Sequence, residues 1–378
     1  MFKLITKIFL LSLFSSIYVF GQNEISEIKN QFKIDRRTTI YEVVYDPVTH
    51  SLKGKTNNIT AKKALLDKYK GKNIKDSLLV LPHLLPGQMP FVIANVSVAN
   101  LRSEPEESAE LSSQVLLGTP LKVFEKLKGW YRVQCPDQYI GWIDASTVKP
   151  YSEKQLDEYQ KDSLVIYTDF YGKALRDTTS GSLPVRDLTF GNLLVKGKAS
   201  GNYTEVIFPD KMKGFVTTKS VSRLNTWLKD SESYGDDIAR FSLNYLGTPY
   251  LWGGTSAKGV DCSGFTRMSY LSKGLYLPRD ASQQALVGEK VPVDSTFRSL
   301  HVGDLLFFGN TETKRVSHVA MWLGGMSFIH SSGMVRIDSF DPKAHNYSEY
   351  NLNRLLFVKR IKPETIKLKE GNLYELPN

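Results

Sequence analysis

The sequence predicts an α+β protein that is divided into several small domains. The chain of 378 residues is longer than one small core requires. Two stretches repeat each other 73 positions apart, and both have the short, turn-separated runs of small β-barrels. The last third passes from helical spacing to a series of strand-like runs. We therefore expect a small α/β region, two barrels, and a domain of helices and antiparallel strands.

Residues 1–21 have the pattern of a removable signal peptide. Lys3 and Lys7 form a positive segment, Ile8 to Phe20 is mostly apolar, and Gly21 is a small residue at the exit. The apolar run is too short and too interrupted by serines for a transmembrane helix. We therefore expect a periplasmic or secreted protein without stable membrane insertion.

The net charge of +10, which falls by two when the signal is removed, favours approach to anionic envelope polymers. A merely soluble basic surface is the alternative explanation. The lysines are scattered, which argues against a nucleic-acid partner. The sequence carries no CxxC or HxxxH spacing, so we expect no metal and no other cofactor.

The region from 22 to 85 is predicted to be a small α/β piece that supports or spaces the domains after it. Thr39 to Tyr45 and Ser77 to Leu81 have the composition of strands, a further strand is expected after the turn at Asp46-Pro47, and Ile59 to Lys70 is predicted to be a helix.

The repeats are expected to form barrels of about five strands each, over 91–150 and 163–225. Gly118, Pro136 and Gly141 of the first copy recur as Gly191, Pro209 and Gly214 of the second. The run Val-Ala-Asn-Leu-Arg at 98–102 and a closing Gly-Trp-Ile make the first copy resemble bacterial SH3 domains, and the second is a degenerate copy. The charged segment 152–162 between them is predicted to be a linker.

The last domain is predicted over 232–362, followed by a polar tail over 363–378. A first helix carries its apolar residues on one face and ends before Gly247, which suits a C-cap. These apolar residues are Ile238, Phe241, Tyr245 and Leu246. A second helix begins at Cys262 and ends near Gly274, and five strand-like runs come after it, at 304–309, 316–323, 326–331, 334–339 and 354–361.

Cys262 is the leading candidate for a nucleophile. It lies in Gly-Val-Asp-Cys-Ser-Gly-Phe at the start of a predicted helix, where free N–H groups and the helix dipole lower a thiol pKa. His318 and His330 come later in the chain, in a Cys…His…His order that suits thiol acyl transfer. A lone buried cysteine and hydrogen-bonded core histidines are the structural alternative. The other cysteine, Cys135, is predicted to lie in a strand of another domain and not to pair with Cys262.

Hairpin geometry tests whether the two histidines can act together, because they are twelve positions apart and strand side chains alternate. A two-residue turn at 324–325 puts them on opposite faces, whereas a three-residue loop over 323–325 pairs His318 directly with His330. We expect the three-residue loop, with the histidine-bearing face under Cys262. The residues on that face are then His318, Ala320, Trp322, Phe328 and His330, while Val319, Met321 and Leu323 fill the other face.

The blocks around these residues resemble the NlpC-type cell-wall cysteine peptidases. The blocks are Gly-Thr-Pro-Tyr-Leu-Trp-Gly-Gly at 247–254, the cysteine segment, Leu-Pro-Arg-Asp-Ala-Ser-Gln-Gln at 277–284 and Gly-Asp-Leu-Leu-Phe-Phe at 303–308. The resemblance implies a papain-like catalytic domain. It also implies His318 as the base, His330 as the group that orients it, and the Cys262 amide with the Tyr250 phenol as the oxyanion site. A turn aromatic after Pro249 is the alternative for Tyr250.

SH3-like domains ahead of such a domain resemble γ-D-glutamyl-L-diamino acid endopeptidases of the dipeptidyl-peptidase VI kind. That resemblance implies a substrate site that caps a free N-terminal alanine. The matching positions are Glu104, Tyr139, Asp261, Ser263, Arg279 and Asp280. For Glu104 a solvated turn residue is the alternative, and the serine expected at 281 is Ala281, with Ser282 one step later.

Three functions stay open on the sequence. The first is a hydrolase of free peptidoglycan stem peptides. The second is an endopeptidase on polymeric wall with the SH3-like domains as anchors. The third, a wall-binding protein without catalysis, is disfavoured by the intact cysteine and histidines.

Overall fold

A computed structural model of the protein describes residues 22–161, 163–229 and 235–362. The predicted signal peptide over 1–21 and the predicted tail over 363–378 lie outside these residues. Within them, no helix is long and apolar enough to cross a membrane.

The N-terminal region is a three-stranded sheet with helices packed on it. Strand β2 pairs antiparallel with β1 and parallel with β3. Ile28, Leu52 and Leu65 are fully buried between the layers. The elements are α1 (22–31), β1 (Tyr41–Asp46), β2 (Ser51–Thr56), α2 (Ile59–Lys68) and β3 (Lys75–Val80). The sequence predicts all of these except α1.

The two repeats each form a seven-stranded antiparallel sheet rather than the five strands expected. The first sheet has the order β10-β4-β7-β8-β9-β5-β6, and the second has the corresponding order β17-β11-β14-β15-β16-β12-β13. The strands of the first are β4 (Phe91–Ala94), β5 (Val98–Arg102), β6 (Leu111–Leu116), β7 (Pro120–Leu127), β8 (Trp130–Gln134), β9 (Ile140–Asp144) and β10 (Val148–Tyr151). The strands of the second are β11 (Leu164–Tyr167), β12 (Tyr171–Leu175), β13 (Pro184–Thr189), β14 (Leu193–Ser200), β15 (Tyr203–Ile207), β16 (Lys213–Thr217) and β17 (Val221–Arg223).

The duplication extends to the turns between the strands. Each strand of the second sheet starts 73 positions after its counterpart in the first. Gly118 and Gly191 occupy equivalent turns with φ of +82° and +87°, a region that favours glycine. At Gly118 a Cβ would lie 2.3 Å from the Leu193 carbonyl oxygen, so this glycine lets the two copies approach closely.

The segment predicted as a charged linker is a helix, α3 (Glu153–Lys161), with one buried side. Its Leu156 and Tyr159 pack against Ile93 and Tyr151 of the first sheet. The Tyr159 hydroxyl donates to the Gly118 carbonyl at 3.1 Å. The connection between the two sheets is therefore fixed by packing.

The C-terminal domain has helices followed by a six-stranded antiparallel sheet, which confirms the predicted α+β class. The sheet order is β20-β25-β21-β22-β23-β24. The helices are α4 (Leu224–Lys229), α5 (Gly235–Ser242), α6 (Cys262–Leu271), α7 (Ala281–Gln284) and α8 (Glu349–Asn353). The strands are β18 (Thr255–Ser256), β19 (Gly259–Val260), β20 (Glu289–Val291), β21 (Leu305–Gly309), β22 (Val316–Gly324), β23 (Ser327–Ser332), β24 (Met334–Ser339) and β25 (Leu355–Arg360). Helix α5 is shorter than predicted, and Leu246 is 45% exposed.

The predicted register of the β22–β23 hairpin is wrong by two residues. Met321 pairs with Ile329, so the same register places His318 opposite Ser332 rather than opposite His330. The turn is Gly325-Met326, and both residues have positive φ, as in a type I′ turn. A bulge between Trp322 and Gly324 supplies the extra residue. Because the shift is even, the two histidines still share a face.

The predicted placement of that face is also wrong. Val319 and Met321 pack with Phe265 and Met268 of α6, so this helix covers the opposite face of β22. The histidine face instead joins a cluster on the other side of the sheet. That cluster includes Phe308, Ala320, Trp322, Phe328 and Phe340.

One apolar cluster joins the second sheet to the C-terminal domain. Ile166, Phe190 and Leu193 of the second sheet are buried in the same cluster as Phe265 and Leu271 of α6. The first sheet joins the catalytic domain through Gln114. Its side-chain oxygen accepts from the Thr255 amide at 3.0 Å and from the Ser256 hydroxyl at 2.9 Å.

Candidate active site

Cys262 is the first residue of α6, and the chain before it is shaped to hold it there. The Asp261 carboxylate caps the helix by accepting from the Gly264 amide at 2.7 Å. Gly264 packs on the preceding loop so closely that a Cβ would lie 1.9 Å from the Gly254 carbonyl oxygen. A glycine at position 264 is therefore needed for the start of α6 to pack against the loop at Gly254.

The thiol is a buried, protonated group at neutral pH, contrary to the expected lowering of its pKa. Cys262 is 8% exposed, and burial together with the Asp261 charge raises its pKa to about 11. The Val319 and Ser263 amides and the Arg279 cation act in the opposite direction. Both cysteines are free, and burial also raises the pKa of Cys135 well above its usual value.

The two histidines form a hydrogen-bonded chain that ends on Asp338. His318 Nε2 lies 2.8 Å from His330 Nδ1, and His330 Nε2 lies 3.0 Å from Asp338 Oδ2. Burial disfavours the charge of Asp338, but His330 and Arg336 outweigh it and hold the pKa of this carboxyl below its usual range. Asp338 is not among the residues that the sequence predicts for the site. The only signal for it is an acidic residue in the strand after the histidine strand.

The hydrogen bonds from His318 to His330 and from His330 to Asp338 fix the tautomer of His318. An ionised Asp338 accepts the Nε2–H of His330, so the Nδ1 of a neutral His330 is an acceptor. It takes the Nε2–H of His318, which leaves the lone pair of His318 on Nδ1. The amide of the next residue, Val319, acts to lower the pKa of Cys262, so His318 stands on the part of β22 that lies near the thiol.

Tyr250 lies beside the nucleophile. Its amide donates to the Gly333 carbonyl at 2.9 Å, and its backbone forms a parallel bridge with Val260. Burial, and then the charges of Cys262 and Asp261, raise the pKa of this phenol. The hydroxyl is thus protonated at neutral pH and can donate a hydrogen bond.

Three of the predicted substrate residues form a buried network with one another. Arg279 Nη2 donates to Asp261 Oδ2 at 2.6 Å, and Nη1 donates to Ser263 Oγ at 3.0 Å. Arg279 is 2% exposed, and its Nε donates to Ser113 of the first sheet at 3.0 Å. The Asp261 charge is therefore already matched by an internal cation.

Asp280 and Tyr139 are brought together by the N-terminal region. Arg37 Nη1 donates to Asp280 Oδ2 at 2.9 Å and to Ser282 Oγ at 2.8 Å. Tyr139 is buried nearby, and its pKa is raised by burial and by the Asp280 charge. No sequence motif indicates Arg37. Glu104 is exposed and, among the described residues, makes no side-chain hydrogen bond or ion pair with the other predicted site residues.

A cleft of about 490 Å³ opens beside His318 and Tyr250. Arg336 of β24 and Arg354, which directly follows α8, contribute its cations. In the part of the chain that the structure describes, no cluster of His, Cys, Asp and Glu is placed to hold a metal ion.

This geometry can perform base-assisted attack by a thiol on a carbonyl, and the protein is a cysteine peptidase with a papain-like domain. A model of the NlpC/P60 family matches residues 247–354, and a model of the bacterial dipeptidyl-peptidase Sh3 domain matches residues 101–148. The chain belongs to the NlpC/P60 family.

Matches to known proteins extend beyond these two segments. A gamma-D-glutamyl-L-lysine dipeptidyl-peptidase of Bacillus subtilis is 43% identical over 235 residues, covering 58% of this chain and 72% of the relative. Dipeptidyl-peptidase 6 of Lysinibacillus sphaericus is 26% identical over 262 residues, covering 67% of this chain and 92% of the relative. The crystal structure of an NlpC/P60 family protein from Bacillus cereus has a TM-score of 0.60 at 24% identity, over 71% of this chain and 99% of that chain, and shows the same fold.

Proposed function

We propose that the protein hydrolyses the bond between γ-D-glutamate and the diamino acid in peptidoglycan stem peptides that have a free N-terminal L-alanine. The names of its relatives support this substrate class. We further propose that residues 1–21 direct export, so that the enzyme meets its substrate in the periplasm or outside the cell.

The proposed reaction passes through a thioester. The Cys262 sulfur attacks the γ-carbonyl carbon while His318 Nδ1 takes the thiol proton. The Cys262 amide and the Tyr250 phenol donate to the developing oxyanion. His318 then returns the proton to the leaving amine, the C–N bond breaks, and a water activated by His318 hydrolyses the thioester.

One observation favours a free peptide over polymeric wall as the substrate. The first SH3-like domain is bonded to the loop before the nucleophile through Gln114, and its Ser113 holds the buried Arg279. A domain built into the site in this way suits the closed end of a short groove better than a mobile anchor. Because Arg279 already neutralises Asp261 and Arg37 pairs with Asp280, we assign the charge that meets the alanine ammonium to Glu104.

The test compares kcat/KM for L-Ala-γ-D-Glu-diaminopimelate with that for the N-acetylated peptide. The wild type should strongly prefer the free amine, and Glu104→Gln should lose most of that preference. Glu106→Gln, in the same loop, is the control, and Cys262→Ala is the inactive reference. Equal rates on both peptides, together with release of peptides from whole sacculi, would support the polymer-cutting alternative.

A further inference from the structure

The cleft beside His318 contains an arginine, Arg354, that forms no ion pair among the described residues. Arg354 Nε is buried and has no hydrogen-bond partner, and Nη1 donates to the Tyr350 hydroxyl at 2.6 Å. The guanidinium lies 4.8 Å from the Tyr350 ring and 5.7 Å from the Phe308 ring. Among the described residues, no carboxylate forms an ion pair with it. A buried guanidinium N–H without an acceptor carries a desolvation cost that a bound anion would remove.

The rest of the cleft also favours an anion. Arg336 lies on the same cleft and shares Asp338 with His330, at 3.2 Å from Nε to Oδ1. Its side chain is 46% exposed, so half of it faces solvent. The described lining has four serines and no aspartate or glutamate. The serines are Ser317, Ser331, Ser332 and Ser348.

The position of the cleft determines which part of a substrate reaches it. His318 lines the cleft and, in the proposed reaction, returns a proton to the leaving amine. The residue that carries this amine must therefore lie on the His318 side of the scissile bond. A diamino acid in that position presents carboxylate groups within reach of the cleft.

We propose that Arg354, assisted by Arg336, binds a carboxylate of the leaving diamino acid and selects substrates that carry it. This inference rests on the proposed function. Two carboxylates have the required chemistry, the α-carboxylate at the end of a tripeptide and the side-chain carboxylate of diaminopimelate. A guanidinium offers parallel N–H donors that fit either one.

The experiment uses four peptides of the form L-Ala-γ-D-Glu-X, where X is diaminopimelate or lysine and ends in a carboxylate or an amide. The wild type should lose about 10- to 100-fold in kcat/KM when the recognised carboxylate is missing. A difference between acid and amide for both residues identifies the α-carboxylate. A difference between diaminopimelate and lysine at either terminus identifies the side-chain carboxylate.

Substitutions of the two cleft arginines test whether the cleft causes the preference for a carboxylate. Arg354→Gln should abolish the discrimination, Arg336→Gln should reduce it, and Arg354→Lys should restore part of it. Arg240→Gln, an exposed arginine on α5, is the matched control and should behave as the wild type. Equal cleavage of all four peptides by the wild type, or unaltered discrimination in Arg354→Gln, would overturn the inference alone. Failure to cleave any of the four would overturn the proposed function as well.

Discussion

Cys262 and His318, the proposed nucleophile and base, are both uncharged at rest. Burial raises the pKa of Cys262 to about 11. Burial, then His330 and the cations Arg354 and Arg336, lower the pKa of His318 well below 6.5. A thiol with a high pKa beside an imidazole with a low pKa does not form a stable ion pair. We therefore expect transfer of the proton to accompany attack rather than to precede it.

This arrangement predicts the pH dependence of the thiol and of the rate. Thiolate absorbance, measured as wild type minus Cys262→Ala, should be negligible at neutral pH and rise only as the pH approaches about 11. His318 must be unprotonated to act as the base, so kcat/KM should fall on acidification only below pH 6.5. A thiolate signal at neutral pH that disappears on acidification would contradict this view and indicate a preformed ion pair.

Asp338 sets the tautomers of His330 and His318. Replacing it with asparagine removes its charge with little change of shape. In Asp338→Asn the amide can donate to His330 Nε2, which reverses both hydrogen bonds and leaves a proton on His318 Nδ1. We expect kcat to fall by about 10²- to 10⁴-fold, since a base held in the wrong tautomer cannot accept the thiol proton. Steady-state rates test this, with Asp341→Asn in the next loop as the control. An unchanged kcat in Asp338→Asn would exclude the tautomer role.

Residues differ in how far the sequence reveals them. Cys262, His318 and His330 can be found because each lies in a local motif with turn and helix signals around it. Asp338 and Arg354 cannot be found in this way. Asp338 reaches His330 diagonally across paired strands, and Arg354 enters the cleft because the chain after α8 turns back to the sheet. Both depend on register and packing, which a local pattern does not determine.

At the scale of elements, the hairpin shows that the face shared by two side chains is easier to predict than the exact pairing of the strands. The even spacing of the histidines places them on one face only if the hairpin has an odd number of unpaired residues. The structure has this, because a two-residue turn is combined with a one-residue bulge. The sequence favours a turn that includes Gly324-Gly325, yet Met326 adopts φ of +63° and Gly324 returns to the strand. The Met326 carbonyl accepts from the Phe340 amide at 2.8 Å and from the Ser339 hydroxyl at 3.2 Å. Tertiary bonds thus hold a non-glycine residue in a backbone conformation that favours glycine.

Helix α6 gives a prediction at the same scale. A Cβ on Gly264 would meet the Gly254 carbonyl, so Gly264→Ala must displace the first turn of the helix from the loop. We expect the free energy of unfolding to fall by about 1–3 kcal/mol. We also expect kcat to fall by a larger fraction than the free energy of unfolding, because Cys262 moves with that turn. Gly129→Ala is the control, since a Cβ there meets nothing within 4 Å. Urea unfolding and steady-state rates give both quantities. Wild-type activity in Gly264→Ala would show that the turn can shift without consequence.

At the scale of the molecule, an apolar cluster joins the second sheet to the C-terminal domain, and an ion pair joins the first sheet to it. Arg267, on the nucleophile's helix, forms an ion pair with Asp137 of the first SH3-like domain, and their side chains are 7% and 6% exposed. The Arg267 guanidinium also lies 4.2 Å from the Tyr276 ring. The sequence indicates the domains but not this pair, because the two residues are 130 positions apart. A buried pair between domains makes the stability of each depend on the other.

We therefore expect the SH3-like and catalytic domains to unfold in one transition, and Asp137→Asn to destabilise that transition. Removing one partner leaves an uncompensated buried charge, which costs about 3–5 kcal/mol. Arg267→Met should cost a similar amount, and the double variant should cost less than the sum, because no charge then stays unpaired. Glu158→Gln breaks the exposed pair with Lys154 and is the control, with little change expected. Urea unfolding followed by tryptophan fluorescence and by activity measures these energies. Two separate transitions, or additive losses in the double variant, would mean that the first domain is tethered to the catalytic domain rather than built into it.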